Sequence, residues 1–434
     1  MAGDALTPAR TSEGRLRQWV GILSAFFTAQ GLIQLAGIAA GLLLVRTLPV
    51  REFALYTLAL SVTTFFTFLS DLGSTGSLVH FFHRAQQQGE DFAPYLAAVL
   101  SLRRLAFLLG ALAVAVAFPH AALAKGYGGL EIALALAAVL VAVWFQIGAA
   151  VQVLSLRLAD RYLVSYRAEV CGAVLRLLLT TTMAATALLF AWIGVLATAM
   201  GTATTALLAA RGGAPRPPAG SDLQPYRKRV LRYLVPTLPS ALYFAIQGPL
   251  VIWLAATFGA TRNIAEVGAL SRLGLVVGMF SALSSVVFVP RLARVTDERL
   301  WRVRYVQFGG ALAAIALALF ATAALLPGAL LWVLGESYTG LHRELVLVVA
   351  GSGLTLLDGY VVSVNLARGW NRWQGLAMAV LVVIQAAFVA FISLDTTGGV
   401  LTFNLLSSAA ALAIQVAIAV PGFVRPPGLA GNNA

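Results

Sequence analysis

A chain of 434 residues in which 60% of side chains are apolar and only 11% are charged cannot cover a soluble fold of its size with polar surface, so a soluble enzyme or binding domain is excluded. The apolar residues form long continuous runs, not alternating segments of about ten, which excludes an outer-membrane barrel. The net charge of +13 would usually suggest a nucleic-acid partner, but the cations follow the ends of the apolar runs and no nucleic-acid partner is expected.

In chain order the runs cover Trp19–Val45, Phe53–Phe82, Leu102–Phe118, Leu130–Leu156, Ala168–Leu188, Leu189–Ala210, Tyr233–Phe258, Ile264–Val289, Tyr305–Leu326, Arg343–Ala367, Gln374–Leu394 and Val400–Val420. Each is near the roughly 20 residues a helix needs to cross hydrocarbon. Twelve spans with the N-terminus inside place 24 of the 30 Lys and Arg at inner ends, leaving Arg46, Arg51, Lys125, Arg262, Arg272 and Arg343 outside. That bias predicts cytoplasmic N- and C-termini, with membrane lipids as partners of the inner arginines.

The expected fold class is an all-α polytopic membrane protein, with about twelve transmembrane helices in two parallel six-helix lobes around a central cavity. Residues 1–18 form a cytoplasmic segment, 19–210 the first lobe, 211–232 a basic linker, 233–420 the second lobe and 421–434 a cytoplasmic tail. The linker contains Pro215, Pro217, Pro218 and Pro225 with Gly212, Gly213 and Gly220, which break helices. Six spans on each side of it make any repeat a parallel one. Pro49–Ala54 and Asn263–Gly268 echo each other at the first outer loop of each half, and each supplies a carboxylate, Glu52 or Glu266, at the start of a helix. Capping of a helix N-terminus explains such a group without further function.

Polar residues inside spans face one another or a hydrated cavity, because facing lipid is costly. Gln30 and Gln34 lie on one face of the first span, Gln247 lies in the seventh, and Asn365, Gln385 and Gln415 lie in later ones. Interhelical bonding is the plainer role for each amide, and contact with a polar substrate is the other. Arg272 lies about 10 Å inside the eighth span; it either faces the cavity and binds an anion, or reaches the outer headgroups or Glu266. Arg46 ends the first span and reads first as an interfacial anchor. Arg176 sits inside the fifth span with Glu169 on nearly the same face, a possible pair. Asp71 and Asp358 are candidates for ion coupling or for interhelical hydrogen bonds, the latter favoured for Asp71 beside Ser70 and Gly73. Pro236, Pro239 and Pro249 interrupt the seventh span and predict a kink. Cys171 is the only cysteine and is expected to pack among apolar neighbours. The four histidines are scattered, and no phosphate-binding loop or nucleophile–base set is present, so no metal, cofactor or enzymatic activity is expected.

Several segments, in order, resemble one family. Gly41–Tyr56 is similar to the first outer loop of polysaccharide flippases, an apolar run, an Arg, a Pro-containing turn and then Glu-aromatic, followed here by Asp71-Leu72-Gly73. Leu234-Val235-Pro236, Glu266–Leu273, Leu334–Tyr338 and Ala367–Arg372 resemble later stretches of the same family, although Ala54 and Leu270 replace its common Gly and Tyr. The resemblance is to the O-antigen flippase type within the multidrug/oligosaccharidyl-lipid/polysaccharide superfamily. It implies a bacterial inner-membrane carrier that moves a polyprenyl-diphosphate-linked oligosaccharide to the outer leaflet, with a glycan polymerase or glycosyltransferases as partners. On this reading Arg272, then Arg46 and Arg176, would balance the diphosphate, with Gln30, Gln34 and Gln247 on the sugar. A cation-coupled multidrug exporter of the same superfamily is the alternative, although Val20–Val45 lacks the acidic residue that reading wants. A non-transporting scaffold of a glycan-assembly complex is another.

Overall fold

The computed structural model describes residues 12–213, 222–284, 288–293, 295, 297–370 and 372–424. Most of the predicted N-terminal segment with Arg10, the linker core with Arg216 and its three prolines, Arg294, Asn371 and the tail from Arg425 lie outside the described residues. Among those described there is no strand; helices follow one another with short turns. The first half contains α1 (Ser12–Thr47), α2 (Val50–Asp71), α3 (Ser74–Gln88), α4 (Ala93–Leu123), α5 (Gly129–Leu158), α6 (Tyr162–Ala185) and α7 (Ala191–Arg211). The second contains α8 (Gln224–Leu234), α9 (Leu238–Gln247), α10 (Leu250–Phe258), α11 (Thr261–Leu283), α12 (Val289–Ala293), α13 (Glu298–Leu325), α14 (Pro327–Leu334), α15 (His342–Ala367), α16 (Gln374–Phe391) and α17 (Thr397–Val424). Among the described residues eleven helices are long and apolar enough to span a membrane, and the pair Gln224–Gln247 and Leu250–Phe258, bent by 54°, makes a twelfth when counted as one span.

The breaks have local causes. Pro236 opens a 3-10 turn at Val235–Thr237, Pro239 sits in the first turn of α9, and Pro249 caps α10, so the predicted kink is spread over two interruptions. The second span is broken as well, which its apolar pattern does not announce. Leu72 and Gly73 both adopt left-handed backbone, φ 43° and 79°, and separate α2 from α3. The predicted linker is shorter than expected: α8 already begins at Gln224, because Pro225 is tolerated in a first helical turn where its missing N–H has no partner to lose.

The two halves repeat the same packing. The fourth span runs along the sixth in each, α5 on α7 and α15 on α17, and the second packs on the fourth, α2 on α5 and α11 on α15. The carboxylates of the echoed loops make matching long-range contacts. Glu52 Oε2 accepts from the Ala191 N–H at 2.8 Å, at the start of α7. Glu266 Oε2 accepts from Thr397 Oγ1 at 2.5 Å, at the start of α17. Each thus pins the second span of its half to the start of the sixth, and does not cap its own helix.

The halves meet at the end where α1 passes into α2. There Phe53, Tyr56, Leu270, Leu334 and Tyr338 share one buried cluster, with Phe53 edge-on to Tyr338 at 6.5 Å, and Lys125 Nζ donates to the Gly259 carbonyl at 2.6 Å. Gly268 lets α11 approach α2 there, since a Cβ would lie 2.4 Å from Thr57 Oγ1. At the opposite end α8 leaves its own half and docks on α3 and α4. Val230 and Leu234 are buried with Leu78, Phe81 and Tyr95, and Arg229 and Arg227 donate to Tyr95 Oη and Ser101 Oγ, both at 2.7 Å.

Candidate functional site

Arg272 stands 11 residues into α11, roughly 16 Å along it, further than predicted because the helix starts at Thr261. It reaches out of the second half into the first. Its Cδ would lie 3.2 Å from a Cβ at Gly41 of α1, and its Cζ lies 5.9 Å from the Tyr56 ring of α2. Glycine at 41 therefore leaves the room the guanidinium uses. The ring beneath it is a favourable surface for a cation. Arg272 Nε is buried and has no hydrogen-bond partner, as is Tyr56 Oη. Glu266, the carboxylate expected as an alternative partner, is engaged with Arg262 at 2.8 Å and with Thr397.

Arg176, from α6, is close enough to Arg272 for its charge to reach that guanidinium. It lines a cleft of about 240 Å³ within the first half, with Gln146 of α5, Glu169 of α6 and Thr198, Thr202 and Thr205 of α7. The cleft exists beside a tight crossing: a Cβ at Gly201 would lie 2.6 Å from the Gly172 carbonyl oxygen and 2.9 Å from Arg176 Cβ. Arg176 Nε is also buried without a partner. The pair expected with Glu169 is not made; Glu169 accepts from Arg157 Nη2 at 2.6 Å instead. Seven residues separate Glu169 from Arg176, but Arg157 at the end of α5 is nearer in space.

Two guanidinium groups, one from each half, thus have a buried Nε without a partner, and neither forms an ion pair among the described residues. Such groups are stable when an anion or water supplies the missing acceptors.

The other predicted residues are placed elsewhere or already bonded. Arg46 donates to the Trp332 carbonyl at 3.2 Å and stacks on its ring at 4.7 Å, on the exposed edge near α14. Gln30 and Gln34 are half-buried on α1, whose Ile33 lines the Arg176 cleft. Gln247 and Gln385 exchange two amide hydrogen bonds, at 2.8 and 3.0 Å, joining α9 to α16. Asn365 donates to the Gln415 carbonyl at 3.0 Å. Asp358 is half-buried on α15 near Tyr243, and its Oδ1 is buried without a partner. Cys171 is exposed on α6, not packed as expected, because that face of the helix is turned away from α7 and its Gly172 contact.

Asp71 is held by a group that the sequence reading counted only as an inner-end cation. Arg103 of α4 is 3% exposed. It pairs with Asp71 through Nη2, which also donates to Thr75 Oγ1 at 2.8 Å, while Nε donates to Ser74 Oγ at 2.6 Å. Asp71 Oδ1 also accepts from the Thr75 N–H at 3.2 Å and its hydroxyl at 2.7 Å. The cluster fastens the left-handed break between α2 and α3 to α4. Gly73 at that break faces Thr237 at the 3-10 turn of the second half, where a Cβ would lie 3.3 Å from Oγ1, so the two helix interruptions meet. The only signal in the sequence was Arg103-Arg104, two adjacent cations inside an apolar run, about 100° apart on one helix and so free to take different surroundings.

No family model matches the chain, and no curated protein matches it. Solved structures do. The lipid II flippase MurJ in an inward closed conformation matches with a TM-score of 0.73 over 94% of this chain and 88% of that one, at 11% identity. An inward-facing multidrug resistance MATE family transporter matches at 0.64 over 91% and 96%, with 17% identity. A MOP superfamily transporter from Pyrococcus furiosus, described as having a binding pocket of reverse polarity, matches at 0.51 over 94% and 96%, with 16% identity. The chain shares the fold of these solved structures, and its described residues are helical, with eleven helices, or twelve counting the bent pair, long and apolar enough to cross a membrane.

Proposed function

We propose that the protein is a flippase that moves a polyprenyl-diphosphate-linked oligosaccharide from the inner to the outer leaflet of a bacterial cytoplasmic membrane. The observation that carries this reading is the unpaired guanidinium pair, Arg176 from one half and Arg272 from the other. The diphosphate sits between them, the sugar head in the hydrated cleft beside Gln146 and the threonines of α7, and the polyprenyl tail stays in lipid. Rocking of the two halves about the apolar junction at Tyr56 and Tyr338 exposes the head to each side in turn. Asp358, with its unpartnered oxygen, is the carboxylate best placed to couple a cation to that motion. Glycosyltransferases and a polymerase are the partners this substrate calls for.

The fold is equally compatible with multidrug export, the activity named for one of the matching structures. The charge of the interior favours an anion: Arg176 and Arg272 each have a buried Nε without a partner, and Glu169, the carboxylate lining the cleft, is paired with Arg157. Purified protein in liposomes distinguishes the readings. Movement of a fluorescent polyprenyl-diphosphate glycan without uptake of a cationic dye supports the proposal, and dye transport without lipid movement refutes it.

A further inference from the structure

Two tyrosine hydroxyls, Tyr56 Oη and Tyr338 Oη, are buried without a hydrogen-bond partner among the described residues. A buried tyrosine normally finds an acceptor for its O–H, because a donor taken out of water and left unbonded is costly. Tyr338 has Glu266 and Arg262 as its charged neighbours. Tyr56 is placed differently. It is 0% exposed on α2, and its ring lies against Gly194 of α7, where an added Cβ would be 3.2 Å from Cδ2 and Cε2. One turn further along α7 is Thr198, which lines the Arg176 cleft. The Arg272 guanidinium, from the other half, lies with its Cζ 5.9 Å from the same ring, and a charge on the phenol oxygen would reach it. Tyr56 thus touches both the helix that walls the cleft and the arginine that enters from α11.

A guanidinium only donates hydrogen bonds. Arg272 Nε and Tyr56 Oη come from separate helices, and each is buried with a hydrogen to give. They bond neither each other nor an acceptor among the described residues. Such a pair calls for an acceptor from outside the chain. A cation would meet hydrogens from both sides. A water satisfies the donors but not the charge of Arg272, which forms no ion pair among the described residues. An anion with a free oxygen satisfies all three requirements.

We propose, on the flippase reading above, that the Tyr56 hydroxyl is a further donor to the diphosphate and bonds the same anion that Arg272 holds. The ring supports the guanidinium from below, and glycine at 194 leaves room for the ring. Tyr56 is then a substrate-binding residue, not only a packing residue of the junction.

The test titrates farnesyl diphosphate or farnesol into the purified full-length chain in neutral detergent, with binding followed by calorimetry and melting measured beside it. Wild type should bind the diphosphate far more tightly than the alcohol. Tyr56→Phe keeps the ring and removes only the donor. It should weaken farnesyl diphosphate about tenfold, the loss of one hydrogen bond to a charged acceptor, with melting no lower than wild type. Tyr338→Phe removes a hydroxyl of the same kind and should leave the affinity unchanged. In an Arg272→Gln background the effect of Tyr56→Phe should shrink, because the two contacts hold one anion. Unchanged affinity in Tyr56→Phe overturns the proposal and leaves the flippase reading standing. So does an equal loss in Tyr338→Phe, or an undiminished tenfold loss without Arg272. Equal affinity of wild type for farnesyl diphosphate and farnesol refutes the diphosphate reading itself, and the role of Tyr56 with it.

Discussion

The Arg103–Asp71 cluster makes a prediction that separates a structural clamp from an ion-coupling carboxylate. Arg103 is 3% exposed, so its charge depends on Asp71 and on the hydroxyls of Ser74 and Thr75. Asp71→Asn keeps the side-chain shape and an acceptor for the Thr75 N–H, but removes the counter-charge. Breaking a buried pair in this way costs about 3 kcal/mol, the lower end of the usual range because two neutral acceptors remain. Arg103→Met should cost less, about 2 kcal/mol, because Asp71 keeps its Thr75 bonds and is 26% exposed. The double variant leaves no unpaired charge and should cost about 2 kcal/mol, a coupling of about 3 kcal/mol between the sites. Unfolding of the purified variants in detergent measures these differences, and flipping rates normalised to folded protein accompany them. If Asp71→Asn is as stable as wild type yet transports nothing, Asp71 carries an ion and the clamp interpretation is wrong.

Three further outcomes follow from packing and burial. Gly201→Leu must push α6 from α7, because its Cβ would meet the Gly172 carbonyl at 2.6 Å; a loss of about 1–3 kcal/mol is expected, and unchanged melting would contradict the close crossing. Gln247→Leu and Gln385→Leu should each lower stability by about 1 kcal/mol by orphaning the partner amide, with the double variant recovering most of it; transport lost only in the double variant would give Gln247 a substrate role instead. Burial pushes the Tyr338 hydroxyl up to about 12, with Glu266 adding to the effect. An unfolded tyrosine ionises near pH 10, so the unfolded chain gains charge before the folded one, and stability should fall as pH rises from about 10 to about 12. Tyr338→Phe should flatten that part of the profile, and an unaltered slope would assign it to other groups.

Much of this architecture was legible because hydrocarbon imposes a simple rule: long apolar runs span, and cations mark their ends. Among the described residues, eleven candidate spans and one bent pair compare with the predicted twelve. The prolines of the seventh span announced their break through lost hydrogen bonds. The break at Leu72-Gly73 was hidden because Leu72 adopts a backbone that leucine rarely uses, and the Arg103 cluster that accompanies it depends on contacts 32 residues apart. The echo between Glu52 and Glu266 was readable, but its meaning was not. Helix capping is a local inference, whereas the carboxylates reach across 139 and 131 residues to the starts of α7 and α17. The same limit applies to the polar residues. Spacing along one helix placed Glu169 on nearly the same face as Arg176, and only the packing of α5 on α6 reveals that Arg157 takes that carboxylate. Arg272 was singled out by depth alone; its neighbours Gly41 and Tyr56 come from two other helices.

The central claim is that an arginine shared between the halves recognises a diphosphate, and Arg272→Gln tests it most directly. Because Arg272 forms no ion pair among the described residues, its replacement by a neutral polar side chain should not lower the melting temperature. Flipping of a polyprenyl-diphosphate glycan in liposomes should fall roughly tenfold to a hundredfold, the loss of one charge-assisted contact. Movement of an analogue with an uncharged linkage should not change. Equal rates for wild type and variant on the diphosphate substrate would contradict the account.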